Sequence, residues 1–304
     1  MSFTDYFLLI NRHNLSVLVK SIRLVKNPMN AILFILGKQE RITVYRKSST
    51  NVPLAVEEWG LFSLLLSKHV SDVSSNEDNR IEFKWDNQFI KLYRGSESFF
   101  ADFTGVFGVE DYGEMKSEGM TIIDVGANIG DSAIYFYLKG ASKIISVEPL
   151  KSNYDVLLKN IELNGLGQLV HAIRAGCGLD GFANIDDTAS LDAGFSINPP
   201  KEVTNSSKIP VISLKTLVFE YTKPDEKISL KMDCEGCEYN TILREEDSIL
   251  RRFSEIVLEY HQGHKDIKNR LKSLGFKVRK RRSFTVGDLN HRSKNRGILY
   301  ATRR

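Results

Sequence analysis

Cysteine is scarce in this chain: only Cys177, Cys234 and Cys237 occur in 304 residues. Three thiols cannot all pair with one another, so no disulfide framework of the kind that staples small secreted folds is expected, and a reducing, cytoplasmic setting fits. Proline, at seven residues, is too sparse for a collagen-like or proline-rich disordered chain. Long apolar runs are missing as well. The longest, Ala31 to Leu36, falls far short of the roughly 20 residues that a membrane-spanning helix needs. The first residues include an acid, Asp5, and no small-residue cleavage site follows an apolar core. Neither a span nor a signal peptide is read, and a soluble protein is expected. Internal repeats and low-complexity tracts are also lacking.

What is present is the composition of an ordinary globular protein: 42% hydrophobic and 26% charged residues, in a chain long enough for one catalytic domain with an extension. The formal net charge of +4 is unevenly spread. Lys277 to Arg304 holds ten Lys or Arg against a single acid, Asp288, a local +9 that leaves the remainder at −5. Such a segment reads either as a solvated basic strand and loop or as a surface for a phosphate-rich partner, nucleic acid or an anionic membrane. An oligomeric state is not written in the sequence.

The polar cluster Val70 to Asn79 places a boundary near residue 80, dividing an extension (1–80) from the main domain (81–304). Leu8 to Val25 and Val52 to Leu66 carry apolar residues at helical intervals, so the extension is expected to be mainly helical, with a short strand around Ile42 to Tyr45. Ile81 to Tyr93 alternates as a hairpin would, with Asp86 and Asn87 in the turn.

From residue 121 apolar runs alternate with helical stretches, the pattern of a parallel sheet covered on both faces. Seven strands are expected: Thr121 to Val125, Lys143 to Val147, Leu169 to Ala175, Ile228 to Met232, Glu255 to Leu258, Phe276 to Arg279 and Ile298 to Ala301. Helices are expected over Ser132 to Leu138, Ser152 to Asn164, Tyr239 to Ile249 and Lys265 to Leu274. No helical pattern joins the last two strands, so the final one is expected to run antiparallel to its neighbour. Phe182 to Lys208, rich in Asp, Asn, Ser and Gly, reads as an inserted hairpin and loop.

The sharpest motif is Thr121-Ile-Ile-Asp-Val-Gly-Ala-Asn-Ile-Gly-Asp-Ser132, a buried strand running into a glycine turn that opens a helix. Gly126 and Gly130 allow close backbone approach at the carboxyl edge of the first strand, where open α/β sheets bind ligands. A dinucleotide fingerprint needs glycine at the positions that Asn128 and Asp131 occupy. Asp124 and Asp131 would repel a pyrophosphate and attract a cationic sulfonium with its ammonium group. Glu148, ending the second strand in Ile144-Ile-Ser-Val-Glu-Pro149, is placed to accept hydrogen bonds from both hydroxyls of a ribose. The cofactor set is therefore Asp124, Gly126, Asn128, Gly130, Asp131, Ser132, Glu148 and Asp233.

Together, Asp124-Val-Gly-Ala-Asn-Ile-Gly-Asp131, Val147-Glu-Pro149, Leu230-Lys-Met-Asp-Cys-Glu-Gly-Cys-Glu-Tyr239 and Leu258-Glu-Tyr-His261 resemble the FkbM family of methyltransferases, over roughly Phe107 to Phe284. The resemblance implies an α/β, class I methyltransferase fold, S-adenosyl-L-methionine as cofactor, and methyl transfer to an oxygen, commonly a hydroxyl of a sugar, glycan or small-molecule natural product.

Asp233-Cys-Glu-Gly-Cys-Glu238 follows the fourth strand into the same crevice as Asp124. A hydroxyl must lose its proton as it takes a methyl group, and Asp233, Glu235 and His261 are the candidate bases. The same trio makes an oxygen-and-imidazole set suited to a divalent cation; both readings stand, and no metal is assigned. A lone Cys-x-x-Cys is weak grounds for zinc, so Cys234 and Cys237 are expected to pack beside the sheet. Small residues around Cys177 are read as room for an adenine ring. Two alternatives are carried. An RNA or protein N-methyltransferase is suggested by Asn198-Pro-Pro-Lys201, which lacks the aromatic that should follow the prolines. An inactive cofactor-binding module is the other.

Overall fold

The computed structural model describes residues 25–35, 42–44, 54–56, 64, 67, 69–75, 80–93, 104–108, 110–186, 206–281 and 296–303. The chain divides into two compact units. One comprises Met1–Lys91, Phe99–Glu110 and Thr285–Arg292, the other Leu92–Ser98, Asp111–Phe284 and Ser293–Arg304.

In the first unit, helix α1 (Pro28–Ile35) is followed by strands β1 (Ile42–Val44) and β2 (Leu54–Val56), which pair antiparallel. The strand expected near Ile42 is there, but the helix expected over Val52 to Leu66 is not what Leu54–Val56 forms. Val52, Leu54 and Val56 alternate as well as they follow a helical stripe, and Pro53 disfavours helical dihedrals at its predecessor. The helix expected over Leu8 to Val25 lies outside the described residues. Among those described, this extension is mixed rather than mainly helical.

Strands β3 (Val70–Ser75), β4 (Arg80–Trp85) and β5 (Gln88–Tyr93) form one three-stranded sheet. The hairpin with its Asp86-Asn87 turn is as expected. The polar Val70 cluster, however, is a strand, and a boundary at residue 80 passes through this sheet. Ser71, Ser74 and Ser75 pair with Lys84, Glu82 and Ile81, so the backbone ladder holds a segment that side-chain hydropathy alone marks as loop. Phe83 and Trp85 meet Phe107 edge-on, giving this unit its aromatic core.

The second unit runs through β6 (Thr121–Val125), α2 (Asp131–Leu138), β7 (Lys143–Val147), α3 (Lys151–Leu163), β8 (Val170–Ile173), β9 (Gly176–Cys177), β10 (Gly181–Asp186) and β11 (Ser206–Ile212). It continues with α4 (Leu214–Tyr221), β12 (Ile228–Met232), α5 (Cys237–Arg244), α6 (Asp247–Leu250), β13 (Phe253–Tyr260), α7 (Lys265–Ser273), β14 (Lys277–Arg281) and β15 (Gly297–Thr302). Seven strands make one sheet in the order β14-β15-β13-β12-β6-β7-β8. All seven coincide with the expected runs. β15 is antiparallel to both neighbours, and the other pairs are parallel.

Every residue of β6 and β12 is buried, as a sheet covered on both faces requires. One face packs strand residues such as Ile123, Val125, Leu230 and Leu258 against Leu217 of α4, Ile242 of α5, Leu250 of α6 and Leu271 of α7. β14 is an edge strand whose Lys277, Arg279, Lys280 and Arg281 keep the rim charged, one way of blunting an unpaired ladder. The solvated reading of the basic segment thus accounts for these residues; 282–295 lie outside the described ones.

Two local features differ from expectation. The helix over Tyr239 to Ile249 is two helices, because Glu245 is extended and its carbonyl accepts from Arg270 Nη2 (2.8 Å) instead of a helical N–H. Helix α4 was not anticipated; Ser213 caps it, its Oγ accepting from the Thr216 N–H (3.0 Å) while donating to Asp180 (2.8 Å). The inserted segment does form a hairpin, β10 with β11, and residues 187–205 of it, Asn198-Pro-Pro-Lys201 included, are outside the described residues.

Asn160 of α3 ties this unit together. Fully buried, it donates to the carbonyls of Ile129 (2.8 Å) and Tyr93 (3.3 Å) and accepts from the Tyr93 N–H (2.7 Å). Asn160→Ala strands these backbone groups and is expected to destabilise the protein by about 2–4 kcal/mol, read as a lowered urea midpoint with unchanged slope.

Candidate active site

The carboxyl ends of β7, β6, β12 and β13 and the turns that follow them carry Glu148, the Asp124 to Ser132 turn, Asp233, Glu235 and His261. Asp124 and Lys231 are register partners on adjacent parallel strands, so their side chains emerge together. Both are buried, and Lys231 Nζ lies 3.0 Å from Asp124 Oδ1. Ser132 Oγ donates to Asp124 Oδ2 (2.7 Å), and Lys231 Nζ donates to the Gly126 carbonyl (2.6 Å). Burial alone would push the Lys231 ammonium down; Asp124 and Asp233 outweigh it and hold the group up. Asp124 is therefore a neutralised strut, and the negative charge at the mouth of the turn comes from Asp131, Glu148 and Asp233.

Gly126, with φ +73°, is required by a neighbouring loop: a Cβ there would sit 1.7 Å from the Asp233 carbonyl oxygen and 3.3 Å from Cys234 Cα. Gly130, with φ +88°, would place a Cβ 2.5 Å from Leu157 Cδ1. Both glycines serve close packing around the turn. Asn128, in the left-handed region at φ 48°, aims its N–H at Glu148 Oε2 (3.0 Å), and the Leu150 N–H donates to Oε1 (2.9 Å). Burial raises the Glu148 carboxyl to about 7 and that of Asp131 to about 6.

On the other side Tyr112 OH donates to Asp233 Oδ2 (3.2 Å), and Lys231 Nζ lies 5.5 Å from the centre of the Tyr112 ring. His261, with a nearly buried side chain, is held by Glu238 Oε1 on Nδ1 (2.9 Å) and Glu235 Oε2 on Nε2 (3.4 Å), with Asp233 Oδ1 at 3.8 Å. Burial would lower its imidazole, but hydrogen bonds to Glu235 and Glu238 push it up to about 11. His261 is thus a cation with no lone pair to offer, so of the three candidate bases it is the least suited to accept a proton. Burial raises Asp233 against the opposing pull of Lys231 and His261, while Glu235 is lowered, its burial outweighed by His261. Among the described residues, two groupings at this edge are cation-sized, Asp233 with Glu259 and His261 and Cys234 with Cys237 and Glu238, the ligand atoms of each within 4.8 Å of one another; Glu235 belongs to neither.

Cys234 and Cys237 do pack against the core, but as a disulfide, which the sequence reading did not anticipate. Two residues of turn between them bring the sulfurs together at the start of α5. Cys177 is buried in the core with its thiol 4.0 Å from Thr241 Oγ1, so its side chain is taken up by packing. Sequence reasoning also passed over Lys231 and Tyr112. A lysine inside the run Ile228 to Met232 was a usable signal, since a buried ammonium demands an acid, and Asp124 stands at the same height of the next strand. Tyr112 lies in a segment without periodicity and gave none.

A parallel sheet with one antiparallel strand, a glycine turn after its first strand and an acid ending its second define a class I methyltransferase architecture. The chain belongs to the FkbM methyltransferase family: the family model described as "Methyltransferase FkbM domain" matches residues 124–278. Among solved structures, methyltransferase FkbM from Methylobacillus flagellatus KT is similar at 14% identity over 68% of this chain and 54% of that one, with a TM-score of 0.41. Streptococcus pneumoniae Sp1610, solved in complex with S-adenosyl-L-methionine, is similar at 17% identity over 64% and 71%, TM-score 0.40. Magnesium protoporphyrin IX methyltransferase from Synechocystis PCC 6803, with bound cofactor, is similar at 12% identity over 69% and 85%, TM-score 0.37. No curated protein matches the chain. Among the described residues no helix is long and apolar enough to cross a membrane.

The family's cofactor is S-adenosyl-L-methionine, and the turn fits it. Asp131 Oδ2 is buried without a hydrogen-bond partner, an acceptor suited to an ammonium. Glu148 uses three donors, the N–H groups of Asn128 and Leu150 and the amide of Asn153, out of about four acceptor positions on a carboxylate.

His261 has a folded value of about 11 against 6.5 for free imidazole, so its pairing stabilises the fold fully below pH 6.5 and that contribution is lost as pH rises through about 11. His261→Gln is expected to flatten the alkaline decline in stability across that window. Nitrogen NMR at neutral pH should find both ring nitrogens protonated; a neutral tautomer would contradict the assignment.

Proposed function

We propose that the protein is an O-methyltransferase, acting in the cytoplasm on a hydroxyl of a sugar, glycan or small-molecule natural product. The observation that carries this reading is Asp233: a carboxylate raised by burial, 30% exposed at its side chain, ending β12 directly against the Gly126 turn. A neutral amine acceptor needs no strong base before attack, whereas a hydroxyl gains from one in the transition state.

When bound, the cofactor supplies a methyl group on a positively charged sulfur. Glu148 would accept from a ribose hydroxyl with its remaining acceptor position, Asp131 Oδ2 would accept from the ammonium of the methionine part, and the left-handed turn at Gly126, Asn128 and Gly130 would shape the floor. Asp124 and Ser132 act one step back, locking Lys231 under the turn. Asp233 takes the acceptor's proton. Tyr112 occupies Oδ2 and the His261 cation lies beside Oδ1, so the carboxylate is fixed in orientation, and the positive charge favours its ionised form against the opposing effect of burial. Glu235 and Glu238 position His261.

Glu148 must be ionised for its remaining acceptor position to take a ribose hydroxyl, so affinity for S-adenosylhomocysteine should rise as pH passes through about 7. Glu148→Gln should weaken binding by about 10- to 100-fold, the worth of a charged hydrogen-bond acceptor, and abolish that rise. Calorimetry against pH reads both, and unchanged binding would remove Glu148 from the site.

The acceptor is tested by incubating the protein and labelled cofactor with separate pools of glycans, small hydroxylated metabolites, RNA and protein. Label is expected in hydroxyl-bearing compounds; label in nucleic acid or protein amines would overturn the reading, and binding without transfer to any pool would mark an inactive module. With an acceptor in hand, Asp233→Asn should retain cofactor affinity and lose about 10²- to 10⁴-fold in turnover.

A further inference from the structure

Among the described residues, the disulfide is a feature of the site that methyl transfer leaves unused. It closes the turn between β12 and α5, with Cys237 buried at the first position of the helix and Cys234 half-buried. This turn carries Asp233 and Glu235, rests its backbone on Gly126, and leads into Glu238, which grips His261. Cys234 Sγ lies 3.3 Å from Oε2 of the fully buried Glu238, which also accepts from the Gly236 N–H at 2.9 Å. A disulfide sulfur has no hydrogen to donate to that oxygen, whereas a thiol does. The closed bridge therefore sets a sulfur against a carboxylate without a bond, and the opened form gains one.

We propose that Cys234 and Cys237 form a reversible redox site, opened by a dithiol reductant, whose opening loosens the β12–α5 turn against the cofactor loop and weakens cofactor binding. One thiolate of the reductant attacks the more exposed Cys234 sulfur, making a mixed disulfide and expelling Cys237 as a thiolate. The N-terminus of α5 favours that negative charge. The second thiolate of the reductant then attacks its own bridged sulfur. The reductant leaves as a cyclic disulfide, and Cys234 leaves as a thiolate. Two electrons pass to the protein, and two protons follow to give the dithiol. The Cys234 S–H then donates to Glu238 Oε2, so the carboxylate that positions His261 shares its lone pairs with a new donor. Backbone contact at Gly126 carries the change to the cofactor turn.

The thiol chemistry stands on its own, while the coupling rests on the cofactor assignment above, and the test separates them. The full-length protein, isolated oxidised, is incubated with or without dithiothreitol, alkylated while folded, and weighed by mass spectrometry. No modification is expected before reduction and two alkylations after it; buried Cys177, whose thiol burial pushes up to about 12, stays unmodified. Calorimetry with S-adenosylhomocysteine should show affinity at least about fivefold weaker after reduction, the lower end of ordinary coupling between linked sites. The double variant Cys234→Ser with Cys237→Ser should match the reduced affinity and ignore the dithiol. A bridge that opens only on denaturation overturns the redox site. A bridge that opens with affinity unchanged overturns the coupling. Ligand that fails to bind the oxidised protein overturns the cofactor assignment itself, and the coupling with it, whatever the thiol count.

Discussion

The Asp124–Lys231 ion pair, buried between the two central strands, is the constraint on which the rest of the site depends. Two charges withdrawn from water in this way are tolerated only when the remaining donors and acceptors are met, and losing one partner of such a pair costs about 3–5 kcal/mol. Here Ser132 meets Asp124 and the Gly126 carbonyl meets Lys231. The first βα turn and the fourth strand are thereby bound to each other through side chains as well as through the ladder. With the turn fixed, the close approach of Gly126 to the Asp233 carbonyl becomes possible, and with it the distance between the cofactor floor and the proposed base.

Around this strut the site is short of positive charge. Asp131, Glu148, Asp233, Glu235, Glu238 and Glu259 share His261 and the already engaged Lys231, with Arg296 reaching Glu235 at 3.9 Å. That imbalance explains why His261 is held as a cation, while Asp131, Glu148 and Asp233 are raised by burial that the pull of Lys231, and of His261 on Asp233, does not offset. It also makes a positively charged ligand welcome in a way a phosphate would not be. Carboxylates of the same kind are thus sorted by burial and neighbours into struts, acceptors and a base.

The seven-stranded sheet was legible because its strands are short β-branched runs with no competing pattern, and Thr121–Val125, Lys143–Val147 and Ile228–Met232 coincide with the sequence reading to the residue. The Gly126 turn and Glu148 were legible through spacing. What escaped was set by contacts far away in sequence: the break at Glu245 depends on Arg270, the strand at Val70 on its partner at Trp85, and the role of Asp124 on Lys231. Charge near Asp124 was read from one strand alone, so the cation on the next was missed. Cys-x-x-Cys was visible, but its pairing is decided by the tight turn after β12, which periodicity does not encode.

The placement of β15 has a consequence for how the chain is assembled. It enters between β13 and β14, which have no bonds to each other, and Tyr300 reaches back to donate to the Asp111 carbonyl. Until the ribosome has released residues 297–302, one half of the sheet must wait with β14 detached and the flank of β13 bare. Unpaired strand flanks of this kind invite pairing with other nascent chains, so β15 acts as a keystone inserted from within the arch, and the molecule is most vulnerable to association in the interval before it arrives.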